Sequence, residues 1–125
     1  MTFRVTLILG ICLLYSTGCY GVECDQEVLE RIAESYNLTP KQYRLLQAIR
    51  IAENGRAGRE FGVLHPKAID TDFETQARWA AGTIAKRYDG NLNKFVDRWC
   101  PAEVDAEGNK NLKNNLLKLM EEKDD

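Results

Sequence analysis

From residue 25 onward, apolar residues recur at the spacing of one helix face, and one long stretch, NGRAGREFGVLHP at 54–66, breaks that pattern. Such a chain is committed to packing helix on helix, with one glycine-rich loop to accommodate among them. Val28, Leu29, Ile32, Ala33 and Tyr36 form the first apolar face. At YNLTP the pattern stops, and Thr39, Pro40 and Gln42 read as the cap, the first helical residue and the far half of a capping box. The second helix carries Tyr43, Leu46, Ile49 and Ala52 and ends near Glu53, with Gly55 suited to the left-handed C-terminal position.

Residues 54–66 hold three glycines and a proline, which predicts a loop or a short hairpin through EFGVL. Its length suits a binding loop better than a plain connection. Thr71 and Glu74 then read as a second capping box, with Phe73, Ala77, Ala80, Ala81, Ile84 and Tyr88 as the next stripe and Asp89-Gly90 as its stop. A short helix in NLNKFVDRW ends at Cys100-Pro101, because a residue before proline avoids helical geometry. AEVDAEGNKN reads as a polar loop, LKNNLLKLM as a last amphipathic helix and EEKDD as an acidic tail. The expected fold class is mainly α, with about five helices and a glycine-rich loop or short hairpin after the second.

The N-terminus is set aside from this domain. Arg4, the apolar run Val5 to Tyr15 and the small residues STG have the three regions of a secretory signal over 1–18, and the run is too short for a membrane anchor. The ending STGC resembles a bacterial lipobox with Cys19 as the acylated residue, although Ser16 stands where leucine is commonest. Ser16 and Gly18 equally suit an ordinary signal peptidase. With Cys12 removed and Cys19 carrying lipid, Cys24 and Cys100 remain as a disulfide pair, which would contribute roughly 4 kcal/mol in the chain-entropy account. Unpaired thiols are the alternative. Export across an inner membrane to the periplasm or envelope is the expected localisation, with a lipid anchor as the membrane attachment.

The formal net charge is -2, and no face or tail gathers Lys and Arg, so nucleic acid is not an expected partner. A single histidine, His65 beside Pro66, leaves little to build a metal site or a Ser-His nucleophile, and no cofactor is called for. A monomeric domain over 25–122 is expected.

Glu53 carries the chemistry. It ends a helix whose inner face is apolar, and both the carbonyl end of that helix and burial beside Ile49 and Ala52 disfavour a negative charge. A carboxyl kept protonated near neutral pH is what a general acid for glycosidic cleavage requires. Many helices nevertheless end in a solvated glutamate.

AIRIAENGRAGREFGV resembles the segment of lysozyme-like murein hydrolases and lytic transglycosylases in which a helix ends with the catalytic glutamate before a loop. REFGVLHPKAI, QARWAAGTI and FVDRWCPAEVDAEGNKN are similar to a compact, phage-type branch of that superfamily, and the likeness runs over about residues 40–120. The resemblance implies a small lysozyme-like domain acting on peptidoglycan, with Glu53 protonating the oxygen between N-acetylmuramic acid and N-acetylglucosamine. In a transglycosylase route the same Glu53 then serves as base while a substrate hydroxyl attacks. In a lysozyme route a second acid is needed, with Glu60, Asp70 and Asp72 as candidates and Glu60 the foremost. A salt bridge from Glu60 to Arg56 or Arg59, and helix-start roles for Asp70 and Asp72, are the structural alternatives. Arg56, Arg59 and Arg98 are candidates for murein carboxylates, and Tyr88, Trp99 and Trp79 for stacking on sugars, against solvated and core roles respectively.

The chain departs from the pattern in two places. GLMQ and AYNxG, found in the larger transglycosylases, are absent, as suits a shortened domain, and Leu112 stands where the compact branch usually has an aromatic. The rival expectation is a non-catalytic envelope lipoprotein that keeps the domain as a glycan- or partner-binding module.

Overall fold

The structure, a computed structural model, describes residues 25–53 and 55–124. The signal segment, Cys12, Cys19 and Cys24 lie outside the described residues. Among those residues are five helices and no strand: α1 (Asp25–Ser35), α2 (Pro40–Glu53), α3 (Phe73–Arg87), α4 (Leu92–Trp99) and α5 (Ala106–Asp124). None of them is long and apolar enough to cross a membrane.

Asp25 and Glu27 in the first turn of α1 favour its N-terminus, and Val28, Leu29, Ile32 and Ala33 are its buried face. The helix closes on Asn37 at φ 54°, with Asn37 N–H donating to the Glu34 carbonyl at 3.1 Å and Leu38 N–H to that of Ala33 at 2.9 Å. This is a Schellman closure with asparagine in the left-handed position. The capping box of α2 forms as its sequence predicts. Thr39 N–H donates to Gln42 Oε1 at 2.9 Å and Gln42 N–H to Thr39 Oγ1 at 3.1 Å. Gln42 Nε2 also reaches the Tyr88 carbonyl at 3.2 Å, which ties the start of α2 to the end of α3.

Helix α2 is the central element and packs on α1, α3 and α5. Its Leu45, Leu46 and Ile49 are fully buried, and each such side chain contributes roughly 1.5–3 kcal/mol of transfer free energy. Because α2 is held on three sides, its last residue, Glu53, is held too.

Of the loop and the hairpin that the sequence allowed, the loop is the one formed: residues 55–72 are a succession of turns without a strand. The loop closes on itself where Asp70 N–H donates to the Gly58 carbonyl at 3.0 Å, with Gly58 at φ 87° and Asp70 at φ 64°. A side chain at Gly58 would stand 2.7 Å from the Asp70 α-carbon. Phe61, Val63 and Ala68 turn inward, and Phe61 packs on Phe73 with ring centroids 5.3 Å apart. Gln76, fully buried on α3, pins the loop by donating from Nε2 to the Ala68 carbonyl and, at 3.2 Å, to Thr71 Oγ1.

Several local expectations are corrected. The smallness of Gly55 serves a close approach, since a Cβ there would lie 1.9 Å from the Arg59 carbonyl oxygen. The cap of α3 is Asp72, which accepts from Thr75 N–H at 2.8 Å, whereas the Thr71 hydroxyl donates to the Ala68 carbonyl and Glu74 pairs with Arg31 and Arg78. Helix α5 begins at Ala106, inside the stretch expected to be a polar loop. Asp105 accepts from Gly108 N–H at 2.9 Å, and a Cβ at Gly108 would lie 2.3 Å from that carboxylate. Asn109, nearly fully buried, donates to Asp97 Oδ1 at 3.1 Å and to the Cys100 carbonyl at 2.8 Å, which fastens α5 to the end of α4. Leu112, Leu116 and Met120 then follow at helical spacing into the core, so Leu112 fills an interior position there.

Candidate active site

Glu53 is half-buried at the end of α2, and its carboxyl lies against two groups from other elements. One is the backbone of Gly62, where an added Cβ would stand 2.7 Å from Glu53 Cδ. The other is Trp99, the last residue of α4, whose side chain hydrogen-bonds to the carboxyl. Burial pushes the Glu53 pKa above its ordinary 4.5, and the Trp99 hydrogen bond, which favours the ionised form, offsets part of that. The direction is the one expected from burial beside the apolar face of the helix.

Gly62 and Trp99 both line a recess of about 360 Å³ that opens beside Glu53 and continues past Val63, His65, Trp79 and Arg98. The His65 and Trp79 rings stack with centroids 4.4 Å apart, and Trp99 stacks on Phe95 at 5.4 Å. His65 Nδ1 accepts from Lys67 N–H at 3.1 Å, so the imidazole is held in the loop as a wall. No aspartate or glutamate lines this recess, Glu53 included: its carboxyl meets the recess only through Gly62 and Trp99.

The other candidate residues divide plainly. Glu60 Oε1 accepts from Gly58 N–H at 3.0 Å, inside its own loop. Arg59 faces Asp70 at 3.7 Å rather than Glu60, and Asp72 caps α3. Arg56 is exposed, and neither Arg56 nor Arg59 lines the recess, whereas Arg98 and Arg87 do. Tyr88 is a core residue set edge-on to Phe95 at 5.9 Å, while Trp99 and Trp79 face the recess. Arg87 was not a sequence candidate. Its four-residue offset from Thr83 and eight-residue offset from Trp79 place all three on one stripe of α3, the only signal that would have found it.

Cys100 is half-buried and unpaired among the described residues, its expected partner Cys24 lying outside them. Burial, then Asp105, then Glu53 push its thiol pKa up, so it is a poor nucleophile. Among the described residues no group of His, Cys, Asp and Glu could hold a metal ion.

No protein-family model, curated protein or solved structure matches the chain. The chemistry therefore rests on the site itself: one half-buried carboxyl with a raised pKa, beside a recess walled by indole and imidazole rings and edged by arginines. Such a group can deliver a proton to an oxygen bound in the recess, and flat rings with cations suit a glycan that carries acidic substituents.

Proposed function

We propose that the domain is a murein glycosidase in which Glu53 protonates the glycosidic oxygen between N-acetylmuramic acid and N-acetylglucosamine. The observation that carries this reading is the Glu53 carboxyl, half-buried, raised in pKa and set against Gly62 and Trp99 where both line the recess. A lysozyme-like fold, secretion and a lipid anchor at Cys19 belong to the same proposal. Glu60 is engaged within its own loop and Asp72 in capping α3, which favours the route that needs one carboxylate, in which Glu53 first donates a proton and then, as the anion, accepts one from the attacking substrate hydroxyl.

The test is release of soluble fragments from purified murein, read by mass spectrometry, with wild type beside Glu53→Gln. Release by the wild type alone supports the reading, and 1,6-anhydro ends on the fragments support the one-carboxylate route. Equal release by both removes Glu53 as the acid. Binding of murein without release would favour the non-catalytic module.

A further inference from the structure

A second recess, of about 500 Å³, adjoins the first across α3. Trp79, Thr83 and Arg87 line both, so they form a shared wall, and on its far side stand Tyr36, Thr75, Arg78, Gly82 and Lys86. The register of α3 explains this: 75, 78, 82 and 86 form one stripe, and 79, 83 and 87 the stripe beside it. The chain has 19 acidic residues to 17 basic, yet none of the acidic ones lines either recess, while Arg78, Lys86, Arg87 and Arg98 do.

These cations differ in what they are doing. Arg78 is held by Glu74 at 3.0 Å and by Tyr36, and so serves the fold. Among the described residues, Lys86, Arg87 and Arg98 form no ion pair. Gly82 adds an independent observation. A glycine inside a helix costs about 1 kcal/mol relative to alanine, and here neither backbone conformation nor packing calls for one. Its φ is not positive, and an added Cβ would meet only Tyr36 Cε2 at an ordinary 3.5 Å. What the missing side chain does is keep the space beside Tyr36 open.

We infer that this second recess is a subsite for the carboxylate-bearing peptide stem of the same murein strand whose sugars lie beside Glu53, with Lys86 and Arg87 meeting the carboxylates. The inference rests on the murein reading. The peptide branches from the sugar that carries the scissile bond, and the shared wall of Trp79, Thr83 and Arg87 lets one ligand occupy both recesses. Tyr36 and the Trp79 ring offer apolar contact to the stem, and the opening at Gly82 gives it room.

The experiment measures binding of two ligands to the full chain carrying Glu53→Gln, so that nothing is cleaved: soluble murein fragments with intact peptides, and the same glycan stripped of peptide. The preference for the peptidyl ligand is expected to be about tenfold or more at low salt and to shrink as salt rises. Adding Lys86→Glu, or Gly82→Leu to fill the recess with a better helix former, is expected to bring that preference close to unity. Far-UV circular dichroism and thermal melting report that both variants stay folded. A preference unchanged in both variants overturns the subsite, as does a poly(glycerol phosphate) chain that displaces the peptidyl ligand at lower concentration than the ligand itself. If neither murein ligand binds the parent protein, the murein reading fails, and this outcome is distinct from bound glycan without any peptide preference.

Discussion

The carboxyl group of Glu53 lies across the α-carbon of Gly62, so close that a methyl group there would stand 2.7 Å from Cδ and Oε1 and 2.9 Å from Oε2. Gly62 also has φ 70°, in the left-handed region. Gly62→Ala is therefore expected to destabilise the domain by about 1–3 kcal/mol in urea unfolding. It should also abolish most murein release, because the carboxyl must swing away from its place against Gly62 and Trp99. Gly90 is the control. At φ 110° with nothing within 4 Å of an added Cβ, Gly90→Ala shares the backbone cost and is expected to leave release intact. Equal loss of release in both variants would separate Gly62 from the site.

The raised pKa of Glu53 has a sign that stability measurements can read. Burial makes the native state hold this proton to higher pH than the unfolded chain does, so the group favours folding below 4.5 and opposes it once ionised. As pH rises from 4.5 through the raised native value, the wild type is expected to lose stability that Glu53→Gln keeps. Thermal melts across a pH series should show the two converging in acid and the variant ahead at neutral pH. A constant difference across the series would mean that Glu53 is solvated.

The Trp99 hydrogen bond works in the opposite direction and can be removed with little change of shape. Trp99→Phe keeps a ring on Phe95 but takes away the donor that favours the ionised carboxyl. The Glu53 pKa is expected to rise further, and the high-pH limb of the murein-release profile should move upward with it. A merely structural Trp99 would lower the rate at every pH and leave the limb where it was.

The helices were legible because their signals are local. Thr39, Pro40 and Gln42 are adjacent in sequence, and their two hydrogen bonds need nothing from elsewhere. The interior of the 55–72 loop was not legible. Gln76 is a polar residue on an otherwise apolar stripe, and only the folded loop supplies the Ala68 carbonyl and Thr71 hydroxyl that satisfy its amide nitrogen. Tyr88 was legible as the last residue of an apolar stripe, yet stood beside Trp99 as a candidate for stacking on sugars. The packing of α4 decided between them, turning Phe95 onto Tyr88 and leaving Trp99 at the recess. Glu53 was legible as a helix-terminal acid beside an apolar face. That Gly62 would be the surface it rests on depends on how a loop of turns folds back, which no spacing encodes.

Asn109 tests whether the end of α4 holds the site. Its amide nitrogen bridges Asp97 and the Cys100 carbonyl, one residue beyond Trp99. Asn109→Ala leaves that part-buried carbonyl without its side-chain donor, which is expected to cost about 1–3 kcal/mol in urea unfolding. Tryptophan fluorescence should report a loosened Trp99, and murein release should fall by more than stability alone explains at a temperature where the variant is fully folded. Unchanged release under those conditions would mean that α4 is positioned without this bridge.

Glu60 decides between one carboxylate and two. Its Oε1 accepts from Gly58 N–H at 3.0 Å, so its role is to hold the tight turn that Gly58 makes at φ 87°. A glutamine keeps an acceptor oxygen at the same place, so Glu60→Gln is expected to retain the turn and to change murein release by less than about threefold. Glu53→Gln, in contrast, removes the proton donor and is expected to lower release by about 10² to 10⁴, the usual contribution of general acid catalysis. Were Glu60 the second acid of a lysozyme route, its amide variant would fall as far as that of Glu53, and the wild type would yield reducing ends. The position of Glu60 in its own loop predicts the other pair of results: near-normal release from Glu60→Gln, with 1,6-anhydro ends from both it and the wild type, read by mass spectrometry of the soluble fragments.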